Sequence, residues 1–316
     1  MARTHDLFIE FDDALKLSAS QKKEIRRSRE ANRSAIRNWM TDHEKGSVKF
    51  SMQGSFSMAT TIAPLEDEEY DIDDGVYLCE YENAEKSDWP ACSTVHDWIK
   101  SATKGHIKKD PIDKDACVRV SYAHGYHVDI PIYIMKDGHA YLARKSNGWE
   151  INDAKEFKDW VNEKNPSDGQ LKRLIRYLKR WKDNNDIDVK GIALTILVTE
   201  NFENASNRDD DALRYTVENI CNSLESTFEC IKPLSPYDDL FDKYSPSEAI
   251  SIISSFKSLL EALNKAHMSD SAHGASTTLS DAFGESFPIS PDKSAAKASV
   301  AATAAPGILN RDERFG

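Results

Sequence analysis

Apolar and polar positions alternate in four short stretches of the chain. Val48, Phe50 and Met52 alternate with polar neighbours, which predicts a half-buried strand ending at Gly54-Ser55. The run Tyr70–Leu78 predicts a second strand. Tyr126 to Ile134 predicts another, with Val128, Ile130, Ile132 and Ile134 as its apolar face. Ala116 to Tyr122 alternates as well and pairs naturally with the Tyr126 strand as a hairpin, His124-Gly125 supplying the turn. Elsewhere the period is helical. One long amphipathic helix is expected from an N-cap at Ser20 to about His43, with Ile25, Ala35, Ile36, Trp39 and Met40 on one side. Further helices are expected over 89–104, 153–164, 170–184, 191–202 and 209–229, and from Ser245-Pro246 to about Ala266, where proline suits a first helical position. Residues 1–18 read as an irregular lead-in and 80–88 as an acidic loop.

The strands carry the candidate chemistry. Asp71 and Asp73 are two apart, so both carboxylates point to one face, where like charges repel. A divalent cation between them removes that cost. Asp129 lies opposite the apolar face of its own strand. Three carboxylates on neighbouring strands beside a Gly-Ser turn suit two-metal phosphoryl transfer. Mg²⁺ is the expected ion, since it takes oxygen ligands and is held by one or two carboxylates plus substrate phosphates. A calcium loop of the EF-hand type fails, because Gly75 falls at position seven and the flanks read as strands. An acidic surface loop is the remaining alternative. His124, His127 and His139 lack metal-site spacing, although His127 shares the face of Asp129. No Ser-His-Asp set and no Gly-x-x-x-x-Gly-Lys-Ser/Thr loop is found.

Composition narrows the function classes. The 316 residues suggest one large or two modest domains, and 165–169 (Asn-Pro-Ser-Asp-Gly) is a natural break. A net charge of −12 argues against wrapping long nucleic acid, which needs a basic surface. Five cysteines without a Cys-x-x-Cys pair read as reduced thiols, pointing to a cytoplasmic location. No apolar run reaches membrane-spanning length and no signal peptide is read.

Gln53-Gly54-Ser55, Asp71-Ile72-Asp73-Asp74-Gly75 and His127-Val128-Asp129-Ile130-Pro131 together resemble the bacterial cGAS/DncV-like nucleotidyltransferases of antiphage signalling. The resemblance implies an α+β fold: a polymerase-β-like core with a long N-terminal spine helix over 1–165, a helical second lobe over 166–290, and a disordered tail over 291–316. It implies that Asp71, Asp73 and Asp129 are catalytic and hold two Mg²⁺ ions, with Mn²⁺ as a substitute. It assigns Gln53, Gly54 and Ser55 to the donor triphosphate, with Ser57 assisting. Lys179 matches a triphosphate-contacting lysine, although a solvated helix face explains it equally well. The family's usual serine at the start of the next helix is replaced here by Lys190-Gly191. Asp238 and Asp239 lie where a nucleobase edge or a helix N-terminus would use them. Residues 282–288 resemble a docking segment. The implied activity joins NTPs, ATP and GTP among them, into a cyclic dinucleotide or larger ring read by an effector protein. A ubiquitin-activating-like ligase is the implied partner of the C-terminal Gly316. Transfer of one nucleotide to tRNA, a protein or a small molecule, or an inactive nucleotide sensor, remain the alternatives.

Overall fold

A computed structural model describes residues 3–65, 69–105, 109–123 and 125–292. Its first part runs α1 (His5–Leu15), α2 (Ala19–Asp42), β1 (Val48–Gln53), the single turn α3 (Gly54–Ser57), β2 (Tyr70–Leu78) and α4 (Cys92–Thr103). Five further strands follow in this part: β3 (Ile112–Asp113), β4 (Val118–Tyr122), β5 (Tyr126–Ile130), β6 (Ile132–Lys136) and β7 (His139–Arg144). After β8 (Gly148–Ile151) the chain is helical: α5 (Ala154–Lys164), α6 (Gln170–Asn184), α7 (Gly191–Glu200), α8 (Asp209–Ser226), α9 (Pro246–Met268) and α10 (Ala272–Phe283). The expected α+β class is the observed one. The expected turn residue His124, Lys108, which the sequence groups with Lys104 and Lys109 as a small basic patch, and the tail from 293 to Gly316 lie outside the described residues.

The sheet is organised on β2. β1 runs antiparallel along one edge, from Val48↔Leu78 to Gln53↔Asp73. β5 and β6 run parallel along the other edge, and Asp73↔Asp129 and Val76↔Ile132 share one constant offset. They are therefore a single line of chain interrupted at Pro131, whose ring removes a donor while its carbonyl still accepts from Val76 N–H at 2.9 Å. The sequence pattern reads this line as one unbroken strand, and the missing proline N–H is why it divides. β4 pairs with β5 and β7 with β6, each antiparallel.

Two large apolar cores result, with a small third cluster of Tyr133, Ala140 and Leu142 on the other face of the sheet. Ile72, Val76 and Leu78 of β2 pack with Ile25, Ile36 and Met40 of α2 and with Val95 and Ile99 of α4. The second core joins α6, α7, α8, α9 and α10. Two corrections to the sequence reading concern the N-terminus. Residues 5–15 are helical rather than irregular, and Phe8, Phe11 and Leu15 are buried in the helical core. Phe8 and Phe11 there meet Phe283 and Phe287, which pins the segment after α10. The N-cap of α2 is Ser18, not Ser20. Ser18 and Gln21 form a reciprocal capping box, satisfying two helix-end donors at once. α9 begins with the same device, Ser245 with Glu248, and has proline at its first position. All five cysteines are free thiols, and among the described residues no helix is long and apolar enough to cross a membrane.

Candidate active site

The parallel register sets Asp73 beside Asp129 and Asp71 beside His127. Residues paired in register share a face, so all three carboxylates lie on the side of β2 away from the α2 core. That face floors a cleft of about 960 Å³, whose other wall comes from α5, α6, the start of α7 and the segment 232–235. Asp73 sits at the floor. Burial first, then the nearby Asp129 and Asp71, push its carboxyl up to about 7, and Arg119 and Lys179 offset part of this.

Arg119 is the residue that the sequence reading missed. Cross-strand pairing places it directly opposite Asp129. Its Nε and Nη2 donate to Asp129 Oδ1 and Oδ2 at 2.7 and 2.8 Å, and Nη2 also donates to Asp71 Oδ1 at 2.8 Å. One guanidinium thus bridges two of the three carboxylates. The available signal was the β4–β5 hairpin itself, which needs only a register to bring Arg119 to Asp129. The neighbouring Asp74 points the other way. It is gripped by Arg33 of α2 at 2.7 and 2.6 Å and ties the sheet to that helix.

The Gly-Ser turn lies against the same carboxylates. Gly54 has φ of +62°, and a Cβ there would fall 1.9 Å from Asp73 Oδ2, so only glycine fits. Ser55 Oγ lies 2.8 Å from Thr61 Oγ1, and Ser57 Oγ donates to Gly54 O. Gln53 is buried. Its amide donates to Tyr77 OH at 3.0 Å and accepts from Tyr133 OH at 3.1 Å, so its side chain braces the turn.

Lys179 is not on a solvated face. It is buried and donates to Thr60 O at 3.0 Å, and burial lowers its pKa to about 8. Arg176 and Arg180 donate to Ala59 O and Ala63 O. The basic side of α6 therefore holds the loop that follows the Gly-Ser turn. Lys190 stands at the N-cap position of α7 on the cleft wall, without a side-chain capping bond, and Gly191 lies against Lys179. Asp238 and Asp239 do not begin a helix. Asp239 accepts from Cys230 N–H and Phe241 N–H, and Asp238 pairs with Lys232. His127 Nε2 lies 2.9 Å from Glu69 Oε2 at the edge of the site. Cys117 also lines the cleft, but burial pushes its thiol up, so it stays protonated and is a poor nucleophile.

The donor set fits Mg²⁺ chemically: hard carboxylate oxygens, mutual repulsion that a cation relieves, and an open cleft for phosphate ligands. Among the described residues no three such side chains converge as a ready-made cage, consistent with Arg119 already holding Asp71 and Asp129.

Residues 48–133 match the family described as Cyclic GMP-AMP synthase DncV-like, nucleotidyltransferase domain. A cyclic GMP-AMP synthase from Escherichia albertii is 33% identical over 201 residues, 60% of this chain. The match spans 44% of that relative's length. Among solved structures, Vibrio cholerae DncV with the linear intermediate pppA(3′,5′)pG superposes with a TM-score of 0.73 at 19% identity, covering 87% of this chain and 93% of that one. Escherichia coli CdnC with ATP gives 0.69 at 17% identity, covering 90% and 98%. These likenesses establish the fold as that of the polymerase-β-like nucleotidyltransferases.

Proposed function

We propose, from the match of residues 48–133 to the DncV-like nucleotidyltransferase family, that the chain is a cyclic-oligonucleotide synthase, making in the simplest case a cyclic dinucleotide from NTPs. The observation that carries this reading is the register of β2 and β5. It lines Asp73 up with Asp129 at the floor of a nucleotide-sized cleft, beside the Gly54 turn and within the field of Lys179.

Asp71, Asp73 and Asp129 would hold two Mg²⁺ ions, which supply Lewis-acid activation of the α-phosphate and charge neutralisation of the triphosphate when bound. The chain's own residues do the rest. Gly54 and Ser55 hold the terminal phosphates of the donor, and Lys179 fixes the loop behind them while lending positive charge. Asp129 stands on the acceptor side and draws the proton from the ribose hydroxyl. That oxygen bonds to the α-phosphorus as the bond to the β-phosphate oxygen breaks, releasing pyrophosphate. A second transfer in the same cleft closes the ring, and no covalent enzyme intermediate is needed. We extend the reading to antiphage signalling in the cytoplasm, with an effector protein that binds the product and a ligase that acts on Gly316. These follow from the family resemblance.

The test is incubation of the purified chain with four NTPs and Mg²⁺, followed by mass spectrometry. A synthase yields pyrophosphate and a phosphatase-resistant ring with no added acceptor. Pyrophosphate release only on addition of tRNA, protein or a small-molecule acceptor would instead identify a single-nucleotide transferase.

A further inference from the structure

Resting on the two-ion reading above, we propose that Arg119 is a built-in placeholder cation: it neutralises Asp71 and Asp129 in the metal-free site and keeps out bare divalent ions until a nucleotide delivers them. The oxygens that Arg119 engages are the ones an ion requires. Asp129 gives it both oxygens and Asp71 gives it Oδ1, all within 2.8 Å. Both Arg119 and Asp129 are largely shielded, with side-chain exposures of 16% and 13%. A forked, charge-assisted pair in that setting is among the stronger polar contacts a protein makes. A bare Mg²⁺ must displace the guanidinium and shed its own waters for three protein carboxylates. An NTP-borne Mg²⁺ arrives with phosphate oxygens already bound and needs fewer protein ligands. The same arginine thus favours one order of events, with ion and nucleotide entering together.

The placement also answers a stability problem. Three carboxylates on two adjacent strands would destabilise an empty site, and a fork from the third strand joins Asp71 to Asp129 across that gap. Arg119 acts through the carboxylates, so it is a positioning residue.

The experiment measures Mn²⁺ binding by electron paramagnetic resonance for wild type and Arg119→Gln, with and without a non-hydrolysable ATP analogue. Melting is followed in EDTA and in Mn²⁺. Without nucleotide, Arg119→Gln is expected to bind Mn²⁺ about tenfold or more tightly than wild type, the size expected for losing a charged hydrogen-bonded competitor. Its melting temperature in EDTA should fall, and Mn²⁺ should raise it by more than in wild type. A folded Arg119→Gln whose nucleotide-free Mn²⁺ affinity is equal to or weaker than wild type overturns the proposal. If that variant does not fold even in Mn²⁺, Arg119→Lys decides: it keeps the charge but loses the fork, so a tighter Mn²⁺ site supports the proposal and an unchanged one overturns it. Failure of wild type to bind Mn²⁺ even with the analogue overturns the two-ion reading itself, which separates the two failures.

Discussion

On one face of β2, Arg33 grips Asp74 through Nε and Nη2; on the other, Arg119 grips Asp129 and reaches Asp71. The two faces differ in what surrounds the same chemistry. Asp74 lies among Ile72, Val76 and Leu78, on the side closed by α2, and its side chain is 2% exposed. Asp71 opens on the cleft and is 56% exposed. A closed pair fastens a helix to a sheet. An open pair can exchange its cation. Neighbouring aspartates in one short motif therefore divide into a helix-anchoring one and cleft-facing ones according to strand parity alone.

That division can be broken from either face. Asp73→Asn should have the largest effect. It removes a proposed Mg²⁺ ligand from the open face while keeping shape, so product formation should fall roughly a thousandfold, given several kcal/mol of charge stabilisation. The fold should persist by circular dichroism, and a near-normal rate would remove Asp73 from the site. Asp74→Asn should do the reverse. It leaves Arg33 only its longer, 3.4 Å ion pair with Glu30 and should cost about 3 kcal/mol in urea unfolding, while turnover per folded molecule changes little. Equal loss of turnover from both variants would collapse the contrast between the faces. Lys179→Ala sharpens the picture on the facing wall. It should raise the apparent KM for NTP about tenfold, the scale of one lost charged hydrogen bond, with a smaller change in melting temperature.

The smallest effect is one of pH. Without metal, the Asp73 carboxyl titrates at about 7 rather than the ordinary 3.8. Between those values the folded chain holds a proton that the unfolded chain has released, so stability falls as pH rises through that window. Wild type in EDTA should therefore lose a few degrees more than Asp73→Asn between about pH 5 and about pH 8. Parallel melting profiles for the two proteins would remove the shift.

The site's carboxylates were legible because strand periodicity is local. Asp71 and Asp73 share a face by spacing, and Asp129 stands opposite four apolar residues. Glycine at position 54 was legible as a turn, while its necessity was not, because that depends on the approach of Asp73. Arg119 was missed since its partners are set by register, which alternation does not encode. The basic side of α6 was open to a solvated reading for a related reason. Arg176, Lys179 and Arg180 look like a wet stripe until their acceptors, three carbonyls more than a hundred residues away, are known. Other omissions had local signals. Phe8, Phe11 and Leu15 have helical spacing, and Ser18-Ala19-Ser20-Gln21 spells a capping box two residues before the expected start.

Those three carbonyls have a kinematic consequence. The Gly54 turn ends a strand of the sheet, but the loop after it dips into the other core, where Met58 and Ile62 are buried. Ala59, Thr60 and Ala63 are fastened there to consecutive turns of α6. Any change of angle between the two cores must then drag the Gly-Ser turn toward or away from Asp73, unless those bonds break first. The turn is steered by the wall across the cleft as much as by the strand it closes, and the gap between the Gly-Ser turn and the carboxylates becomes a reading of the angle between the cores.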